Sequence, residues 1–481
     1  MVGGVTLFYP ETPTLTEEYI KIITENSPKT TEVIKELINQ HNPQDMLDGI
    51  KYYESENDIL LRKQYYYDMN KKKVVDDTKT NNRIPHNYHK ILVDQKVGYL
   101  TGNPVAMKSK HEAFTKELNQ IFSEEFDDVL PELVKGASNK GREWLQPFIN
   151  EDGDFDYMII PAEQVIALYN PKDKRKLDSI IRYYYLADGK TKKIEVWDDQ
   201  EVTYYEEIDG IVYLDVTVEE NPASHFYFNK VGYGWGKVPF IEFANNDERI
   251  SDLKTYKRIV DAYDLTVSDT QNNIEDIQSL ITVLKGYDGE NLQEFMDNLR
   301  YFKSIKVDAE GGVDSLKQET PIATVTAQLD RFEENIFLFG QGVNPNKENQ
   351  GGDKTGVALK FLYALLDLKS DVLERKFKRS LRLLMWFACS YLKLTNKGSF
   401  DYKDVTFTFN RSMIFNEAEQ VEMFTNSAEL SMETRLAHHP WVEDVQQEIK
   451  RIESDQEKEI EIPYSNSKID TNKTNGGKTS E

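Results

Sequence analysis

The clearest hydrophobic period in the chain runs through residues 355–392. Apolar side chains recur at Val357, Phe361, Ala364, Leu365, Leu368, Val372, Leu373, Phe377, Leu381, Leu384, Met385 and Ala388. Steps of three and four predict one long helix. The stretch holds no proline, and its one glycine, Gly356, falls in the first turn. At about 1.5 Å per residue the helix would reach roughly 55 Å, against a usual length of about 11–12 residues. Immediately before it, Gly342-Val343-Asn344-Pro345-Asn346-Lys347-Glu348-Asn349-Gln350-Gly351-Gly352-Asp353-Lys354 is polar and glycine-rich. It predicts an exposed, mobile loop, with Asp353 or Thr355 capping the helix that follows. The middle of the helix is basic, with Lys369, Arg375, Lys376, Lys378, Arg379 and Arg382 around a narrow apolar stripe, and its ends are oilier. Two readings fit: a spoke in an assembly, or the central helix of a globular domain with a solvated basic face.

Upstream, residues 1–14 read as an arm broken by Pro10 and Pro13, and residues 16–25 and 30–40 as short helices. Residues 45–65 continue as helix, with Met46, Ile50, Tyr53, Ile59 and Leu60 sharing a face, and Lys71-Lys72-Lys73 is a solvated loop. Pro85 is placed to open a helix, since its missing N–H costs nothing in a first turn. Tyr88, Leu92, Gln95 and Tyr99 share one face of that helix, and Gly102-Asn103-Pro104 stops it. Strand patterns follow at 144–149 and 155–160, and Asp152-Gly153 between them marks a hairpin turn. Further strands are predicted at 165–169, 179–186, 192–197, 201–208 and 211–218, with turns at Asp188-Gly189 and Asp209-Gly210. Their Tyr and Val content suits a mostly antiparallel sheet.

A short strand at 238–243 leads to a helix at 251–278 with Leu253, Tyr256, Ile259, Val260, Tyr263 and Val267 on one face. Then come a strand (279–287), a helix (291–302), a strand (304–307), a turn at Gly311-Gly312 and a helix from Pro321 to about Gly340. Two helices entering and leaving one small module can form a stalk. A strand at 405–410 is expected to return to the sheet region, helices are expected at 416–430 and 442–451, and residues 454–481 read as disordered. The fold class is α+β.

Length and charge narrow the function. A chain of 481 residues should hold more than one domain or subdomain. Mean hydropathy is −0.62, and the longest apolar run, 381–392, is short and carries Arg382, so no bilayer span is expected. Met1-Val2-Gly3-Gly4 has no basic, then apolar, leader pattern. A single cysteine, Cys389, leaves no intrachain disulfide and fits folding in a reducing cytoplasm. The net charge of −24 repels nucleic-acid phosphate, which argues against a tight non-specific DNA binder but suits a protein past which DNA slides on weak contacts.

Candidate chemistry is sparse. Gly351-Gly352-Asp353-Lys354-Thr355-Gly356 lacks the Gly-Lys-Ser/Thr order of a phosphate loop, and no strand feeds it. No zincin or nucleophile-elbow motif is present. His86 and His89 are three apart, but no third metal ligand is evident, and the 150–154 hairpin lacks calcium-loop spacing. No cofactor and no metal are expected.

The block Asn81-Asn82-Arg83-Ile84-Pro85-His86-Asn87-Tyr88-His89-Lys90-Ile91-Leu92-Val93-Asp94-Gln95-Lys96-Val97-Gly98-Tyr99-Leu100-Thr101-Gly102-Asn103-Pro104 resembles a segment of the portal proteins of tailed bacteriophages, nearest in kind to connectors of siphophages infecting Gram-positive hosts. The stretch from Tyr52 through Ile59 to Arg62 resembles the preceding family segment, but carries Ser55 and Asn57 where the family often has glycine and histidine. Lys135-Gly136-Ala137-Ser138-Asn139-Lys140-Gly141-Arg142-Glu143-Trp144 is similar to the family's helix-to-strand junction.

The resemblance spans about residues 45–440. It implies an N-terminal arm with helices (1–44), a wing (45–248), stem helices (249–278 and 320–341) around a clip (279–319), a tunnel loop (342–354), a long wing helix (355–392), a wing strand (393–413), a crown (414–453) and a disordered tail (454–481). It further implies a non-enzymatic subunit whose copies, twelve in the assembled family, ring a channel for double-stranded DNA at one capsid vertex, after assembly in the host cytoplasm. Implied channel residues are Asn344, Lys347, Asn349, Gln350, Gly351, Gly352 and Lys354, with Lys347 and Lys354 as weak phosphate contacts and Thr355 and Lys360 on the supporting helix. Lys285, Tyr287, Glu294, Lys303 and Lys306 would dock the terminase large subunit and the head-completion adaptor. Major capsid and scaffolding proteins are further implied partners, and no membrane is. Competing readings are a phage DNA-processing enzyme, such as a terminase component, which would need a nucleotide or metal site, and a monomeric scaffold protein.

Overall fold

The computed structural model describes residues 28–411, except 69, 78, 229, 278–280, 286–311, 317–320 and 345–355, together with 430–436, 442 and 445–460. The elements in chain order are α1 (Pro28–Gln40), α2 (Gln44–Tyr53), β1 (Tyr65–Tyr67), β2 (Lys73–Val75), α3 (Tyr88–Thr101), β3 (Ala106–Ser109), α4 (Glu112–Ile121), α5 (Glu124–Lys140), β4 (Arg142–Ile149), β5 (Phe155–Ile160), β6 (Val165–Tyr169), β7 (Leu177–Tyr185), β8 (Lys192–Trp197), β9 (Glu201–Ile208), β10 (Ile211–Leu214), β11 (Ala223–Ser224), β12 (Phe226–Phe228), β13 (Val231–Tyr233), β14 (Ile241–Ala244), α6 (Lys257–Ile277), β15 (Ile281–Lys285), β16 (Gly312–Leu316), α7 (Ile322–Phe339), α8 (Gly356–Leu394), β17 (Val405–Thr408), α9 (Met432–Leu436) and α10 (Val445–Ile460). The fold is α+β. Residues 1–352 and 362–412 form one compact unit; 353–361 and 413–481 form a second.

Strands β6 to β10 make an antiparallel meander, with β11 added to β9. Because side chains alternate along a strand, neighbouring residues serve two cores. Ile181, Ile194, Leu168 and Tyr205 face Val33, Ile34, Leu37 and Ile38 of α1. Ile180 and Val165 face Trp144, Val238 and Phe240 on the other side. A second sheet has the order β14-β4-β5. It follows α5 directly through Gly141, which sits at φ +85, where a Cβ would lie 2.2 Å from the Arg249 carbonyl oxygen. Glycine is therefore required at the expected helix-to-strand junction. The hairpin at Gly153 (φ +87) and the turns at Gly189 and Gly210 form where Asp-Gly pairs predict them.

Several expectations are corrected. Helix does not run through 45–65. It stops at Tyr53, a 3-10 turn covers Asp58–Leu61, and Tyr65–Tyr67 pairs with Lys73–Val75 across the exposed Lys71-Lys72 turn. Between them Ser55 takes φ +70, a left-handed conformation that favours glycine. Pro85 does not open α3, which begins three residues later. Residues 81–87 cross α6 as an extended strap: Asn82 N–H donates to Asn272 Oδ1 (2.7 Å) and Ile84 N–H to Ser268 Oγ (3.1 Å). Those side chains satisfy the backbone in place of a helical turn.

Strand β17 pairs with β3 and not with either larger sheet. Gly312 begins β16, antiparallel to β15, and is no turn; the proposed 291–302 helix and 304–307 strand lie outside the described residues. Helix α10 continues to Ile460, into the stretch read as disordered.

The long helix is present as Gly356–Leu394, but its inward line begins elsewhere than the apolar period indicates. Tyr363, Leu366, Ser370, Leu373 and Phe377 are buried, whereas Leu365 (37%) and Leu368 (60%) stay exposed. The basic middle also divides. The Lys369 side chain is 9% exposed, and Lys376, Lys378, Arg379 and Arg382 lie at or near the surface.

Phe377 of α8 meets Phe243 of β14 edge-on, with centroids 4.9 Å apart and both rings fully buried. Phe377→Ala should therefore cost about 3–5 kcal/mol by leaving a cavity. Urea unfolding of the purified chain measures this; a loss below about 1 kcal/mol would contradict this packing.

Candidate functional site

The polar loop beginning at residue 342 leaves α7 through a tight reversal. Gln341 takes φ +53, its N–H donates to Leu338 O (3.2 Å), and Gly342 N–H reaches back to Phe337 O (2.9 Å). This pair of bonds is the Schellman closure of a helix C-terminus. The chain then lies directly on α3. A Cβ on Gly342 would fall 2.2 Å from Leu92 Cδ2, so a side chain there would force Leu92 to move. Gln95 grips the next residue as a strand partner would: Val343 N–H donates to Gln95 Oε1 (3.0 Å), and Gln95 Nε2 donates to Val343 O (2.7 Å). Asn344, nearly buried, donates from Nδ2 to Glu333 Oε1 (3.0 Å) on α7.

Beneath this anchor is a buried charge network. Lys369 of α8 donates to Gly340 O (2.8 Å) and pairs with Asp252 Oδ2 (3.0 Å). Lys96 of α3 pairs with the same oxygen (3.1 Å) and donates to Asn245 Oδ1 (2.5 Å). Asn245 Nδ2 donates to Asp252 Oδ1 (2.8 Å) and to Ile250 O (3.0 Å). Thus α3, the end of α7, the segment before α6, and α8 meet at one aspartate. Tyr52, Leu92, Leu253, Tyr256, Val260, Ile336 and Phe337 form the apolar cluster beside it.

The electrostatics follow from burial. Burial alone would raise the Asp252 carboxyl, but Lys369 and Lys96 outweigh it and hold the group well below the usual carboxylate range. Burial lowers Lys96 to about 8, with Lys369 pushing the same way and Asp252 opposing. His89, buried on α3 with Nδ1 2.6 Å from the Tyr256 hydroxyl, is lowered to about 4 by desolvation. His86 sits 2.8 Å from Asp264, whose other oxygen accepts from Asn57 Nδ2 (2.6 Å). The two histidines therefore have separate partners. Among the described residues no cluster of three His, Cys, Asp or Glu could hold a metal, and no helix is long and apolar enough to cross a membrane.

Of the residues named from sequence, Asn344 belongs to the loop's base. Lys347, Asn349, Gln350, Gly351, Gly352, Lys354 and Thr355 lie outside the described residues, and Lys360 falls within α8. Lys285 ends β15, while Tyr287, Glu294, Lys303 and Lys306 lie outside the described residues. Sequence reasoning missed the joint action of Gln95, Lys96, Asp252 and Lys369. One signal was available: Lys96 stands on the same face of α3 as His89, Leu92, Val93 and Leu100, all buried.

Asp252→Asn would leave two ammonium groups buried against a neutral amide, and should destabilise the chain by about 3–5 kcal/mol. Asp252→Asn combined with Lys96→Met should recover part of that loss. Urea titrations of both variants measure this, and an unchanged midpoint for Asp252→Asn would contradict the network. A second prediction concerns pH. The folded value of His89, about 4, lies below the unfolded value of 6.5. The unfolded chain thus binds the extra proton between these values, and stability is lost as pH falls through that window, by about 3 kcal/mol. Glu143, pushed up to about 7 by burial, acts in the opposite sense as pH falls from 7 to 4.5. The measurement is therefore the difference between wild type and His89→Gln, whose stability should fall less from pH 6.5 to 4; parallel curves would contradict the assignment.

Comparison with known proteins places this architecture. The family model described as phage portal protein, SPP1 Gp6-like, matches residues 34–461. The portal protein of Bacillus phage SPP1 is 42% identical over 466 residues, covering 94% of this chain and 93% of that protein. The portal protein of Clostridium phage phiCD119 is 33% identical over 426 residues, covering 81% and 90%. A solved structure of the virion of a native gene transfer agent particle aligns at 11% identity and a TM-score of 0.44, over 83% of this chain and 94% of that one, a likeness too remote to argue from. The chain belongs to the SPP1 Gp6-like family of phage portal proteins, structural components of the virion capsid.

Proposed function

We propose that copies of this chain close head to tail into a ring, a dodecamer in the capsid, around an axial channel through which double-stranded DNA is packaged and ejected. The observation that carries this reading is the family match over residues 34–461. The anchored loop base supports it: a polar loop held at 343–344 by α3 and α7, and at Gly340 by α8, can reach into a channel without loosening the subunit that bears it. Lys347 and Lys354 are the weak phosphate contacts of that loop, with Asn349, Gln350, Gly351 and Gly352 between them and Thr355 and Lys360 behind. The acidic chain keeps DNA mobile elsewhere.

The segment between α6 and α7, with its β15–β16 ladder, is the docking module for the terminase large subunit and later for the head-completion adaptor, through Lys285, Tyr287, Glu294, Lys303 and Lys306. Val260 of α6 and Ile336 and Phe337 of α7 share one core, so the two helices make a joint stem for that module. Assembly takes place in the host cytoplasm with scaffolding and major capsid proteins, and the finished ring occupies one vertex.

Deleting residues 346–351 tests the loop directly. The anchor at 342–344 lies outside the deletion, so rings should form at the wild-type yield in negative-stain images, while packaged or retained DNA should fall at least about tenfold, as expected when weak backbone contacts are removed together. Normal packaging by the deletion mutant would remove the loop from this role.

A further inference from the structure

The β14-β4-β5 sheet carries opposite charge beside its two edges. At the β14 edge a cleft of about 400 Å³ opens against α8, lined by Lys174, Arg175, Arg249, Lys376 and Arg379 above Trp144 and Phe240. The carboxylates in this cleft are already engaged. Glu242 accepts from Arg249 at 2.6 and 3.0 Å, and Asp247 takes Lys376. Arg175 is paired with its neighbour Asp173 (2.9 Å). Lys174 and Arg379 are exposed and make no ion pair among the described residues.

The β5 edge is the reverse. There α5 starts with Glu124, Glu125, Asp127 and Asp128, and its Phe126 packs on Tyr157 of β5 with centroids 5.4 Å apart. Phe122 packs on Phe155 and Tyr157, which brings the β4–β5 hairpin tip, with Glu151 and Asp152, to the same side. All of these carboxylates are exposed, and none has a cationic partner among the described residues. Partial burial and the neighbouring Asp128 and Glu124 raise the Asp127 carboxyl, the mark of an uncompensated cluster.

A closed ring needs two different surfaces of one chain to fit each other. We propose that the acidic patch formed by the start of α5 and the β4–β5 hairpin of one copy seats in the basic cleft between β14 and α8 of the next. This rests on the ring reading above. A second copy fits better than DNA. A chain of net charge −24 repels a polyanion as a whole, and it holds both halves of this complementary pair beside opposite edges of one sheet. Complementary charges of this kind set register and partner choice.

The test uses full-length chains in low salt, read by native mass spectrometry. Lys174→Glu/Arg379→Glu reverses the cleft, and Asp127→Lys/Asp152→Lys reverses the patch. Circular dichroism melts superimposable on wild type establish that each variant folds. Each alone should form at least about tenfold fewer rings than wild type. Mixed in equal amounts they should recover rings with alternating subunits, because every contact then again joins unlike charges. Wild-type ring yield from the cleft-reversed chain alone would overturn the pairing, as would failure of the folded mixture to recover. If the cleft-reversed chain assembles normally but no longer retains short duplex DNA in a gel shift, the cleft takes nucleic acid and the proposal falls. A wild-type chain that forms no rings, alone or combined with the proposed scaffolding and capsid proteins, would defeat the ring reading itself, and the pairing with it.

Discussion

The shared ion pair of Asp252 with Lys96 and Lys369 is the constraint around which the loop-bearing region is built. Burying three charges is costly unless each finds partners, and removing one partner leaves another uncompensated. Here the partners come from segments far apart in sequence, and each brings its own backbone into place. Lys369 sets α8 against the Gly340 carbonyl, Lys96 holds α3 against Asn245, and Asn245 binds Ile250 O just before α6. The result is a shared anchor for the backbone that follows α7. Gln95 and Asn344 then tie residues 343 and 344 to α3 and α7.

Much of this was legible in the sequence, for reasons that can be named. Period-two strands with Asp-Gly turns between them folded as expected at β4–β5 and β7–β10 because both signals are local. The long helix was visible because no glycine or proline interrupts it after Gly356. Local pattern failed where side chains replaced a regular backbone partner. Pro85 looked like a helix start, yet Asn272 and Ser268 on a distant helix hold residues 82 and 84 extended. Leu365 and Leu368 fit the apolar period but are exposed, since Tyr363, Leu366 and Ser370 supply the line that packs inward. The charge network was illegible because its members lie up to 273 residues apart, between Lys96 and Lys369, and no single-chain pattern links them.

The charge distribution gives the net acidity a structural meaning. Many cations are internal fasteners. Besides Lys96 and Lys369, Arg411 binds Asp367, Asp371 and Glu374 along α8, Lys193 binds Glu206 and Asp215, and Arg249 binds Glu242. Acidic side chains without such partners gather on the surface. A net charge of −24 repels free polyanions as a whole, while Lys174 and Arg379 are exposed cations without an ion pair among the described residues. That combination is what the proposed DNA passage would need, and it leaves the proposed subunit contact to local complementarity.

The central claim is that this chain acts as a closed ring of identical copies, and the native mass of the purified full-length protein tests it most directly. The account predicts one dominant closed species of about a dozen copies with a central hole in negative-stain images. A stable small closed dimer, or a folded monomer that stays monomeric when combined with the proposed scaffolding and capsid partners, would contradict it.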